Sequence, residues 1–139
     1  IIKTIDILDS LEIPHTGTYK NEDDRANNSP MILEKNGIRV ALVNYTYGTN
    51  GLPAPAPTIV DRIDKEQIVK DIKKAQKSYV DQIIVFTHWG LEYQSNPSEA
   101  QIELLIRSPG CIPHSRMVAR HSIFYLLLNL KTIWTSSLP

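Results

Sequence analysis

One cysteine, Cys111, stands in the 139 residues, so no internal disulfide can form and the redox compartment stays open. Net charge is also lacking: fifteen Lys and Arg balance fifteen Asp and Glu. With no surplus of cations to displace counterions from phosphates, a nucleic-acid partner is not expected. The apolar run from Ile123 to Leu130 is interrupted by Asn129 and falls far short of the roughly 20 residues that cross a bilayer. Acidic residues run out altogether at Glu103, whereas the chain beyond it still carries Arg107, Arg116, Arg120 and Lys131. The chain opens at Ile1 with no signal-like start, which reads as a piece of something longer.

What is present is the balance of an ordinary globular domain, 42% hydrophobic and 22% charged residues, which excludes disordered and collagen-like classes. Ile1, Ile5 and Leu8 recur at helical spacing, and the approach to Pro14 ends that pattern, so residues 1–11 read as a helix. The segments His15 to Tyr19 and Asn21 to Ser29 are polar and read as loop. Asn36-Gly37 signals a turn, and Ile38 to Tyr45 is apolar and β-branched enough for a strand buried on both faces.

Pro53, Pro55 and Pro57 make a long loop of Thr46 to Ile63. Asp64, with Gln67 three positions on, has the pattern of a cap, and Ile68, Ile72 and Ala75 fall on one face, so residues 65–77 read as a surface helix. Tyr79 to Phe86 supplies a second strand, and Ser98 with Gln101 opens a further helix. After about Ile106 the pattern breaks. The tail, residues 107–139, reads either as an irregular segment ending in a short strand or helix, or as a segment not native to the domain formed by residues 1–106.

Strand, crossover helix and strand imply a parallel pair with a right-handed connection. Both strands then end at the same carboxyl edge, where open α/β sheets bind ligands. Thr46-Tyr47-Gly48-Thr49-Asn50 and Thr87-His88-Trp89-Gly90 emerge there together. His88, followed by Gly90 and Glu92, is an arrangement suited to a metal or a phosphate. The plainer alternative is a histidine hydrogen-bonded for structural reasons. Asn44, Thr46, Tyr47 and Asn50 offer donors to a phosphate or carboxylate, or bond within their own loop. His15 reads as structural, and Cys111 has neither a local base nor a second cysteine beside it, which argues against a nucleophile.

Asn44-Tyr45-Thr46-Tyr47-Gly48-Thr49-Asn50-Gly51, the proline loop, and His88-Trp89-Gly90-Leu91-Glu92-Tyr93 with Pro97 and Gln101 downstream resemble the CapA family of poly-γ-glutamate capsule biosynthesis proteins. The resemblance covers roughly Ile1 to Leu105. It implies the calcineurin-like metallophosphoesterase fold, a four-layer αββα sandwich of which this α/β chain would be a fragment. By the same resemblance His88 matches a metal-site histidine, Glu92 either orients a ligand or is simply solvated, and Trp89 and Tyr93 pack or line the rim of the site. Divalent Mn, Zn or Fe would serve the intact parent.

The departures from the family matter as much. Its amino-terminal aspartate motif and Asn-Asn-His-x-x-Asp segment would lie ahead of Ile1. Where it continues to Gly-x-His-Pro-His, this chain runs Arg107-Ser108-Pro109-Gly110-Cys111-Ile112-Pro113-His114. A frameshift near Ile106 is the hypothesis these features suggest, and the same tail in intact relatives would defeat it. Because one histidine cannot compensate and hold a divalent ion, this chain alone is not expected to bind metal tightly or to hydrolyse phosphoesters.

Two functions stay open: a parent that is a metal-dependent phosphoesterase-like enzyme, or a non-catalytic component that binds an anionic polymer during cell-surface synthesis or export. The implied partners are an anionic polymer or phosphoester substrate and other capsule synthesis proteins. The implied location is the cell surface or envelope, compatible with a membrane anchor ahead of Ile1.

Overall fold

The computed structural model describes residues 1–90, 98–106, 116–120 and 123–129. In chain order the elements are α1 (Ile2–Ser10), β1 (Thr18–Tyr19), α2 (Glu22–Asn28), β2 (Met31–Lys35), β3 (Ile38–Thr46), β4 (Ile59–Val60), α3 (Lys65–Lys77), β5 (Gln82–His88), α4 (Glu99–Ile106), β6 (Arg116–Arg120) and β7 (Ile123–Asn129). They build a mixed α/β fold with a five-stranded sheet in the order β2-β3-β5-β7-β6 and a two-stranded ribbon of β1 with β4. This is the layering expected of part of an α/β sandwich.

The expected parallel pair is present: β3 and β5 run side by side in register from Val40↔Gln82 to Thr46↔His88. The connection between them contains α3, which begins where expected because the Asp64 side chain accepts the Gln67 N–H at 2.7 Å. Along β3 and β5 the odd-numbered residues Ala41, Val43, Tyr45, Ile83 and Val85 are buried, and they form one core cluster with Ile68 and Ala75 of α3. Each large aliphatic side chain in that layer contributes about 1.5–3 kcal/mol by leaving water. The even-numbered face, carrying Val40, Leu42, Asn44 and Thr46, is only half-buried. The expectation of equal burial on both faces is therefore corrected to an alternating strand.

Other expectations need correction. Residues 22–28 form a helix, not a loop. It has no apolar stripe, and its stability comes from its ends: the Asn21 side chain accepts the Asp24 N–H at 2.9 Å, and Glu22, Asp23 and Asp24 occupy the first turn, where the helix dipole favours negative charge. Met31–Lys35 is a strand that no reading anticipated, paired antiparallel with β3 across a turn in which Asn36 and Gly37 both have positive φ. The loop from Thr46 to Ile63 contains the short β4. The second strand begins at Gln82 rather than Tyr79, which has positive φ and is 87% exposed. In the tail, β7 pairs antiparallel with β5 and β6 with β7, making two strands where one short element was expected.

Candidate functional site

The register of the parallel pair decides what stands at its carboxyl edge. Thr46 and His88 are partners in adjacent strands, so their side chains share a face, and Thr46 Oγ1 lies 3.3 Å from His88 Nδ1. The next residue continues the link through its backbone, Tyr47 N–H donating to the His88 carbonyl at 2.9 Å. The Tyr47 ring then meets the His88 imidazole edge-on, with centroids 5.5 Å apart. His88 and Tyr47 are exposed, while Thr46 is half-buried.

On its other side Thr46 is held by the return of the proline loop. Its N–H donates to the Asp61 carbonyl and its carbonyl accepts from the Ile63 N–H, both at 3.0 Å. Thr46 and Arg62 thereby form a parallel bridge. Arg62 Nη2 donates to Thr49 Oγ1 at 3.2 Å. Beside it opens a cavity of about 350 Å³ lined by residues 47–53 and Arg62. Sequence reasoning missed Arg62, because only the bridge to Thr46 carries it to this edge. A second cavity, of about 480 Å³, is lined by Asp9 and Glu12 among others, carboxylates of the wrong sign for an anionic ligand.

The remaining expected residues are distributed differently. Asn44 is engaged below the edge: its Nδ2 reaches the Thr16 carbonyl at 3.5 Å, and Gly17 packs so closely that a Cβ there would come within 2.8 Å of the Asn44 amide. Asn50 closes its own loop by accepting the Tyr47 hydroxyl at 2.9 Å. His15 bonds Asp9 at 3.2 Å. Glu92 and Tyr93 lie outside the described residues, as do Cys111, His114 and His121.

Behind His88, the turn through Trp89 and Gly90 is braced by Gln101. Gly90 has φ +111, and a Cβ on it would approach Gln101 Nε2 to 2.7 Å. Gln101 is almost fully buried, and its Oε1 accepts the Ser98 N–H at 2.6 Å while the Ser98 hydroxyl accepts the Gln101 N–H at 3.3 Å. This reciprocal box at the start of α4 is the one the sequence announced.

A buried charge cluster anchors the loop from below. Arg25 pairs with Asp61 through Nε and with Asp71 through Nη2, each at 2.6 Å, and the two carboxylates are 5% exposed. Asp71 also accepts the Tyr45 hydroxyl at 2.7 Å and the Gln67 amide at 3.0 Å. Burial pushes the Asp61 carboxyl up, and Arg25 pulls it down without cancelling the rise. Burial also works against the Arg25 charge, but the hydrogen bonds and charges of the two aspartates outweigh it and raise that group overall. Burial first, then the bond to Asp71, holds the Tyr45 phenol far above its ordinary range, so it stays a donor.

Among the described residues the edge is incomplete as a metal donor set. His88 has a neutral hydroxyl and a phenolic ring beside it, and among the described residues no group of three His, Cys, Asp or Glu is placed to hold an ion. These residues do not fit a divalent metal by themselves, since such an ion needs several compensating ligands. What they do offer is one permanent cation, Arg62, beside polar groups held in place within the edge, the Thr46 hydroxyl donating to the Gly48 carbonyl at 3.0 Å.

Comparison with known proteins identifies a family. The model of the family described as bacterial capsule synthesis protein PGA_cap covers residues 1–107. No curated protein and no solved structure matches the chain.

Proposed function

From the premise that this chain belongs to the bacterial capsule synthesis protein family, we propose that it holds an anionic capsule polymer of the poly-γ-glutamate class at the carboxyl edge of β3 and β5. The single observation that carries this reading is the open cavity flanked by Arg62, next to the Thr46–His88 contact. Carboxylates along an extended chain need a cation with N–H donors more than they need a nucleophile, and Arg62 supplies both. In this role the protein acts at the cell envelope beside other capsule synthesis proteins, guiding or exporting polymer without cutting it.

The second reading, a metal-dependent phosphoesterase-like hydrolase, draws on the position of His88 at the carboxyl end of a parallel strand, where α/β sheets place their ligands. It requires further ligands to join His88.

The discriminating experiment replaces the gene in a capsule-forming host with the Thr46→Val/His88→Ala double variant and measures polymer per cell and polymer chain length. Less surface polymer of unchanged length is expected from the binding role. Longer polymer, together with loss of a manganese-dependent phosphoesterase activity, would replace it with the hydrolase. Unchanged amount and length would sink both.

A further inference from the structure

We propose that Arg62, which backbone pairing sets in one row with Thr46 and His88 across three adjacent chain segments, anchors a carboxylate of an acidic polymer in the cavity beside it. This rests on the polymer-binding reading above and names the group that does the gripping.

The row follows from backbone pairing alone. Thr46 is registered with His88 on one side and bridged to Arg62 on the other, both in parallel. Parallel partners project their side chains to the same face, one strand spacing apart. Arg62 and His88 therefore flank Thr46 across two spacings, roughly 9–10 Å between their Cα atoms. An extended polyanion lying across the strand ends can meet both.

Arg62 differs from the other two arginines whose side chains are described. Arg25 is committed to Asp61 and Asp71, and Arg39 faces Glu34 and bonds the Ser78 carbonyl. Among the described residues Arg62 has no carboxylate partner, and it donates instead to the neutral Thr49 hydroxyl. A guanidinium has five N–H donors in a fixed fork matched to a carboxylate. Its neighbour Asp61 turns the other way into the buried cluster, so the alternation of the loop aims residue 62 outward while residue 61 fixes the backbone.

The cavity itself has room. A Cβ on Gly48 or Gly51 would meet nothing within 4 Å, so these glycines leave open space beside Arg62. A carboxylate suits this edge because its single charge matches the single guanidinium, the Thr46 hydroxyl being already donated to the Gly48 carbonyl at 3.0 Å.

The test is binding of the full chain to fluorescent poly-γ-glutamate at low ionic strength, measured by anisotropy for wild type, Arg62→Gln, Arg62→Lys, His88→Ala and the exposed helix control Lys70→Ala. Circular dichroism checks that each variant is folded. About tenfold weaker binding is expected for Arg62→Gln, a smaller loss for Arg62→Lys, which keeps charge but not the fork, and no change for Lys70→Ala. Wild-type affinity in Arg62→Gln, or an equal loss in Lys70→Ala, overturns the anchor while leaving the polymer-binding reading intact. Failure of the wild type to bind removes both. Displacement of the polymer by inorganic phosphate, but not by acetate, at matched charge would reassign the cavity to phosphate.

Discussion

Thr46 Oγ1 and His88 Nδ1 stand 3.3 Å apart although 42 residues separate them in the chain. The contact depends on the register of β3 with β5, and neither residue is needed to fill the core. His88→Ala should cost about 1 kcal/mol or less, in line with one partly exposed hydrogen bond, and Thr46→Val about 1–2 kcal/mol, since that hydroxyl also donates to the Gly48 carbonyl at 3.0 Å. Capsule polymer per cell should nonetheless fall several-fold. Thermal melts set beside polymer assays check the separation, and parallel losses of stability and polymer would deny it.

The glycines of the edge should divide into two kinds. Gly90→Ala puts a side chain at positive φ and against Gln101, so a loss of about 1–3 kcal/mol is expected. Gly48 meets nothing, and its φ lies outside the left-handed range, so Gly48→Ala should stay within about 0.5 kcal/mol while narrowing the cavity. Urea midpoints for the pair measure the contrast.

Arg25→Met leaves Asp61 and Asp71 buried without their cation. A loss of about 3–5 kcal/mol is expected, a large share of the total stability of a domain this size. Adding Asp61→Asn and Asp71→Asn should restore much of it, because the cost comes from stranded charge. Denaturant titration of the single and triple variants would expose an error if the triple were the less stable.

Asp61 also sets a sign for pH dependence. Its carboxyl is raised, so the folded chain holds that proton more tightly than the unfolded one. Its contribution to stability is fully present below the ordinary value of 3.8 and is lost as pH rises through the folded value. Asp61→Asn deletes this downward term, so the stability of the variant should climb more steeply with pH across that window than wild type does. Melting temperatures at a series of pH values read the slope, and an unchanged slope would refute the raised carboxyl.

Legibility in the sequence followed periodicity. The helix from Lys65 to Lys77 and the caps at Asp64 and Ser98 were readable because apolar spacing and short-range capping chemistry sit within a few residues. From strand, helix, strand, the parallel pair and its shared edge also followed, bringing Thr46 and His88 together in advance. The helix from Glu22 to Asn28 was hidden because it carries no large apolar side chain to bury, so no hydrophobic period marks it. Arg25 finds Asp61 and Asp71 at separations of 36 and 46 residues, and Arg62 reaches the edge only through a bridge to Thr46. Such long-range pairings leave no local trace.

The two backbone hydrogen bonds that hold Thr46 to Asp61 and Ile63, with the third from Tyr47 to His88, have a consequence for how tightly a flexible polymer can be held. The segments that carry the row are tied to one another before any ligand arrives, so the ordering entropy of this surface is spent during folding. A polymer that binds here loses its own freedom but need not order the protein as well, and even shallow contacts at three positions can then translate into a useful residence time.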